Sequence, residues 1–124
     1  MRKPWLAVID DDLVVADALK LVLEDAGFSV VTAWDRASFE ALLRTRGFQI
    51  AVCDVQIPGA EDGGFIRELS ATLPDLPIVG MSGLGAEHGR AIALAAGAHA
   101  FVAKPARAAA LYEAIAAARA VKAV

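Results

Sequence analysis

The stretch Trp5-Leu6-Ala7-Val8-Ile9-Asp10-Asp11-Asp12 sets the pattern for the chain: an apolar run stops abruptly at three carboxylates. The run is of strand length and shows no polar alternation, so it suits a strand covered on both faces, as in a parallel sheet. Similar runs follow at Ser29-Val30-Val31-Thr32-Ala33, Gln49-Ile50-Ala51-Val52-Cys53, Pro77-Ile78-Val79-Gly80-Met81 and Ala98-His99-Ala100-Phe101-Val102. Between them lie segments of helical period. Leu13 to Ala26 carries Val15, Leu19, Val22 and Leu23 on one face and stops at Gly27, a natural residue just past a helix end. Asp35 is placed to N-cap a helix striped by Phe39, Leu42 and Leu43 and followed by Gly47. Gly64 to Thr72 presents Phe65, Ile66 and Leu69, with Pro74 beyond as a stop. Ala86 to Ala96 presents Ile92 and Leu94 and ends at Gly97. Pro105 suits the first position of a last helix in which Leu111, Ile115 and Ala118 align.

The pattern is β-α five times over. Right-handed crossovers then predict an α/β fold, a five-stranded doubly wound parallel sheet with helices on both faces. The 124 residues, 57% of them hydrophobic, are one domain's worth with a real core, expected to span 1–124. The net charge of −3 is uneven: residues 1–62 carry eleven acids and six bases, residues 63–124 four acids and six bases. No basic field covers the chain, so direct nucleic-acid binding by charge is not expected. A single cysteine excludes a disulfide framework and a thiolate zinc site. Arg2 and Lys3 precede an apolar stretch that is too short for a signal peptide, and no run is long enough to cross a membrane. The expected compartment is the cytoplasm.

Ligands of such sheets bind at the carboxyl ends of the strands. The residues just past the apolar runs are Asp10, Asp11 and Asp12 after the first, Asp54 after the third, Ser82 after the fourth, and Lys104, one alanine on, after the fifth. Carboxylates converging on one edge repel each other unless a cation is present. A hard divalent ion with oxygen ligands is the natural remedy, and Mg2+ suits a site of few carboxylates. A metal, an ammonium and a hydroxyl around one carboxylate form a site for a phosphoryl group, with the central carboxylate as nucleophile. Any one of these residues has a blander reading: Asp11 or Asp12 as a helix cap, Lys104-Pro105 as a loop, Ser82-Gly83 as a turn. Their conjunction at one edge is what points to chemistry.

The chain resembles a response-regulator receiver domain, the phospho-acceptor module of two-component signalling. The resemblance rests on Val8-Ile9-Asp10-Asp11-Asp12, Asp54-Val55-Gln56-Ile57-Pro58-Gly59, Asp62-Gly63, Met81-Ser82-Gly83 and Phe101-Val102-Ala103-Lys104-Pro105. It implies a flavodoxin-like (βα)5 fold with strand order 2-1-3-4-5. It implies Asp54 as the acceptor of a phosphoryl group from the phosphohistidine of a histidine kinase or histidine phosphotransferase. Asp10, Asp11, Asp54 and the backbone carbonyl of Gln56 would hold Mg2+, so the metal would not constrain the identity of the Gln56 side chain. Lys104 would pair with a phosphoryl oxygen, Ser82 would bond another after modification, and Phe101 would turn inward. Lys104-Pro105 would carry the cis bond frequent at this place. The output surface would be the last two helices and the fifth strand, with Arg90, Arg107, Tyr112 and Arg119, facing a downstream protein or a second copy of the chain.

The departures from the family pattern carry expectations too. The stretch Gly59-Ala60-Glu61-Asp62 is one residue longer than usual. Gly83 adds flexibility beside the acceptor. Leu84, two residues past Ser82, is apolar and screens an attacking water. Leu84→Glu is therefore expected to shorten the life of the phosphorylated protein, and equal lifetimes would sink that idea. Cys53 is expected in the core, His88 and His99 in surface or satisfied-core roles, and Trp5 and Trp34 in packing. The rival reading is a haloacid-dehalogenase-like phosphohydrolase with Asp10 as nucleophile. It lacks a late acidic pair and the usual length. A nucleotide-binding flavodoxin-like protein is disfavoured because no phosphate-cradling loop is present.

Overall fold

The computed structural model describes residues 3–122. Arg2 and the extreme ends of the expected domain lie outside that range. The elements alternate strictly: β1 (Trp5–Ile9), α1 (Leu13–Asp25), β2 (Ser29–Ala33), α2 (Arg36–Thr45), β3 (Ile50–Asp54), α3 (Gly64–Thr72), β4 (Ile78–Ser82), α4 (Ala86–Ala96), β5 (Ala100–Ala103) and α5 (Ala108–Lys122). All strand pairs are parallel, in the order β2-β1-β3-β4-β5.

Successive strand residues point to opposite faces, and each face buries its own core. Ala7, Ile9, Ala51, Cys53 and Ile78 pack with Phe39, Phe65, Ile66 and Leu69 from α2 and α3. Leu6, Val8, Val52, Val79 and Met81 pack with Leu19, Leu23, Leu111 and Ile115 from α1 and α5. Fully burying one such side chain is worth about 1.5–3 kcal/mol. Phe39 and Phe65 stack with centroids 3.9 Å apart, and Arg36 lies 4.8 Å over the Phe65 ring, joining α2 to α3.

The register brings the strand ends level. Ile9 pairs with both Ala33 and Cys53, Asp54 with Met81, and Ser82 with Ala103. Asp54 and Ser82 are thus the last residues of β3 and β4 rather than the first beyond them.

Local expectations fail where packing or loop geometry overrides the pattern. Leu94 is 45% exposed, while Gly89, Ala93 and Ala96 form the buried face of α4. That face must be small because α4 lies close to the sheet: a Cβ on Gly80 would stand 2.5 Å from the Ala93 methyl. Pro105 does not begin α5, which starts at Ala108. Past α2 the left-handed residue is Arg46 (φ 50°) rather than Gly47. Trp5 and Trp34 are exposed instead of packed. Asp35 caps α2 as expected, and Ser38 completes a capping box with it.

Candidate functional site

The carboxyl edge of the sheet gathers Asp10 from the β1–α1 turn, Asp54 from β3, Ser82 from β4 and Lys104 from just beyond β5. Asp12 is a helix cap, its Oδ1 accepting from the N–H groups of Val14 and Val15. Its own N–H donates to Asp10 Oδ1 at 2.9 Å, so the cap also orients the buried acid. Asp10 is 0% and Asp54 7% exposed, while Asp11 faces solvent. Carboxylate oxygens of these three residues lie within 4.8 Å of one another.

Lys104 is the counter-charge. Its Nζ stands 2.6 Å from Asp10 Oδ2 and is hydrogen-bonded to Asp54 Oδ2. Its backbone N–H donates to the Ser82 carbonyl at 2.9 Å, which ties it to the neighbouring strand end. The Lys104–Pro105 bond is cis. Burial works against the ammonium, but the Asp10 and Asp54 carboxylates outweigh it and leave Nζ above its ordinary pKa. Burial pushes the Asp54 carboxyl above the usual carboxylate range and the Asp10 charge adds to this, opposed by the Gln56 N–H and Lys104. The Gln56 N–H donates to Asp54 Oδ1 at 2.9 Å.

A divalent cation fits this cluster. Among the described residues, Asp10 Oδ2 is a buried oxygen with no hydrogen-bond partner; Lys104 Nζ faces it only as an ion pair. Two of the three carboxylates, Asp10 and Asp54, share that one ammonium, and the donors are all hard oxygens, which suits Mg2+.

Ser82 is buried, and its Oγ accepts the Leu84 N–H at 2.9 Å, leaving the hydroxyl proton free to donate. The Phe101 ring was expected to turn inward on modification. It is already inward, 7% exposed, with Arg90 5.4 Å over its face. Gly89 explains this, because a Cβ there would stand 2.5 Å from Ser82 Cβ and 3.0 Å from the Phe101 ring. A mid-helix glycine costs about 1 kcal/mol against alanine, and here it leaves room for both side chains. Gly89→Ala is expected to lower stability by about 1–3 kcal/mol in urea unfolding, because overpacking outweighs the gain in helix propensity. An unchanged or higher stability would show that α4 yields freely at this point.

Cys53 is fully buried, and burial, with the Asp54 and Asp10 charges, pushes its thiol well up, so it is inert. His99 Nδ1 accepts the Ile78 N–H at 3.0 Å, and His88 is exposed. Tyr112 departs from its expected place on the output surface: its hydroxyl donates to the Val22 carbonyl of α1. The face between α4, β5 and α5 is lined instead by Arg90, His99, Ala103, Ala110, Glu113 and Ala117. Sequence reasoning missed Gly89, although a glycine inside a helical segment was a signal for close approach, and it left the Gln56 side chain without a role.

Residues 6–116 match the family described as the response regulator receiver domain. The chain belongs to this family, whose members are the phospho-acceptor modules of two-component response regulators and bind Mg2+ at an acidic pocket. It is 34% identical over 83 residues to the transcriptional regulatory protein FixJ of Bradyrhizobium diazoefficiens, covering 67% of this chain and 40% of FixJ. It is 30% identical over 98 residues to the probable transcriptional regulatory protein TcrX of Mycobacterium tuberculosis, covering 79% of this chain and 42% of TcrX. The chain thus spans less than half the length of these relatives. Among solved structures, a CheY-like receiver domain protein from Methanospirillum hungatei superposes with a TM-score of 0.85 at 23% identity, covering 98% of this chain and 97% of that one. A Burkholderia pseudomallei response regulator with a phosphorylated aspartic acid, calcium ion and citrate has a TM-score of 0.82 at 26% identity, covering 98% of this chain and 72% of that one. Among the described residues, no helix is long and apolar enough to cross a membrane.

Proposed function

We propose that residues 1–124 act as a single receiver domain, a phospho-acceptor switch in which Asp54 takes a phosphoryl group from the phosphohistidine of a sensor kinase or phosphotransferase. One observation carries the reading: Asp54 ends β3 at the mouth of the acid cluster, with one oxygen on the Gln56 N–H and the other on Lys104. A carboxylate so held is oriented for in-line attack and forms an aspartyl phosphate. The phosphorylated aspartic acid of the Burkholderia pseudomallei protein supports it by likeness. Asp10 is the weaker nucleophile candidate because it is wholly buried, with Oδ1 on the Asp12 N–H and Oδ2 against Lys104.

During transfer Lys104 turns from the carboxylate toward the phosphoryl oxygens and neutralises their charge. Asp10, Asp11, Asp54 and the Gln56 carbonyl would hold Mg2+, which supplies further neutralisation of those oxygens. Phosphorylation adds charge and three strong acceptors at the edge, and the free Ser82 proton donates to one of them. With Phe101 already inward, the change falls on Ser82 and the loop 83–85, and through them on α4. The α4-β5-α5 face then regulates a downstream protein or pairs with a second copy, in a cytoplasmic phosphorelay without turnover of a small molecule. Direct nucleic-acid contact is not proposed for these residues; the longer relatives are named as transcriptional regulators. The test is phosphotransfer from a panel of phosphorylated histidine kinases. Rapid transfer from one of them is expected, and no transfer from any, nor from a small phosphodonor, overturns the reading.

A further inference from the structure

The β3–α3 connection is the part of the site that departs from the family pattern, and the Gln56 side chain ties its two ends together. Gln56 Nε2 donates to Asp62 Oδ1 at 3.0 Å, and Gln56 Oε1 accepts the Asp62 N–H at 3.4 Å. Asp62 sits in the left-handed region, φ 55°, which aspartate and asparagine tolerate better than most residues. Its carbonyl is held by Arg67 Nη1 at 2.6 Å. Between these two residues the loop is pinned by buried Ile57 and Ala60 and by the Gly59 N–H on Glu61. Its base is closed by the Gly63 N–H on the Val55 carbonyl at 2.8 Å. Gln56 is therefore fixed from two sides: its backbone N–H by Asp54 and its side chain by Asp62.

We infer that Gln56 is a positioning residue whose side chain, clamped on Asp62, fixes the peptide group that it offers to the cation. The inference rests on the proposed reading that the Gln56 carbonyl is a metal ligand. It adds that the lengthened loop depends on the Gln56–Asp62 pair to keep that carbonyl in place. Without the clamp, the loop gains freedom at the residue adjoining the acceptor, and that freedom must be lost again when the ion binds.

Mg2+ binding to the unphosphorylated full chain, followed by titration calorimetry, tests this without any phosphodonor. Gln56→Met, which keeps the length and removes both hydrogen bonds, is expected to weaken binding about fivefold, the cost of ordering the freed loop again when the ion binds. Asp62→Ala is expected to do the same, the double variant no worse than either, and Asp62→Asn to bind as wild type does because its Oδ1 still accepts. Losses that add in the double variant would place the two residues in separate roles. Unchanged Mg2+ affinity in Gln56→Met, with wild type binding Mg2+ and an Asp11→Asn control binding it far more weakly, overturns the clamp alone. Wild type that takes up no Mg2+ overturns the site reading and the clamp together. A variant that only melts earlier while binding Mg2+ normally counts against the inference.

Discussion

Asp54→Asn is expected to reduce phosphoryl labelling to background while leaving the fold intact. The amide has nearly the shape of the carboxylate but no anionic oxygen, so the nucleophile is lost and the packing is kept. Stability should change little, because Asp10 still stands 2.6 Å from Lys104 and keeps the ammonium paired. Asparagine Oδ1 also remains an acceptor for the Gln56 N–H that holds Asp54 at 2.9 Å. The measurement is acid-labile, hydroxylamine-sensitive label after incubation with a phosphorylated kinase, read beside urea unfolding of the same preparation. Label that survives in Asp54→Asn would move the nucleophile elsewhere, with Asp10 the first candidate. Label lost together with the fold would say nothing of chemistry, which is why unfolding is measured alongside.

Much of this architecture was legible because β-strands buried on both faces leave long apolar runs, and those runs stop where the chain meets the polar edge. Asp10, Asp54, Ser82 and Lys104 could be placed together from that rule alone, and the structure does place them on one edge. Strand order is different. Right-handed crossovers allow several orders, and 2-1-3-4-5 came only with the resemblance. In α4 the helical period was misread at Leu94, since a helix built largely of alanine gives no contrast between its faces; closeness to Gly80 decides which side is buried. Tyr112 was misassigned for a related reason, because nothing in the pattern of α5 says which flank meets α1. The Gln56–Asp62 pair was out of reach. Two polar residues six apart in a loop meet only if the loop closes, and that closure depends on the left-handed turn at Asp62.

Removing the ammonium should have the largest effect on stability. Lys104→Met keeps most of the apolar stem and leaves two buried carboxylates with no fixed cation. Losing one partner of a buried ion pair costs about 3–5 kcal/mol, and partial solvent access on the Lys104 side places this case near 3 kcal/mol at pH 7. The loss should depend on pH with a definite sign. Asp54 already lies above the usual carboxylate range through burial, and Lys104 is one of the groups opposing that rise. Without Lys104 its folded pKa climbs further above the unfolded value. A carboxyl raised in the folded state contributes its stability fully below the unfolded pKa and loses it as pH rises through the folded pKa. The deficit of the variant against wild type should therefore shrink on going from pH 7 to a lower pH at which Asp54 takes up a proton. Mg2+ should narrow the same deficit at pH 7, because the acid cluster without its ammonium binds the ion more tightly and gains more from it by mass action than wild type does. Urea unfolding of both proteins at the two pH values, with and without Mg2+, reads all of this. A deficit that ignores both pH and Mg2+ would mean that Lys104 matters for packing alone, and that the acid cluster does not call for a cation.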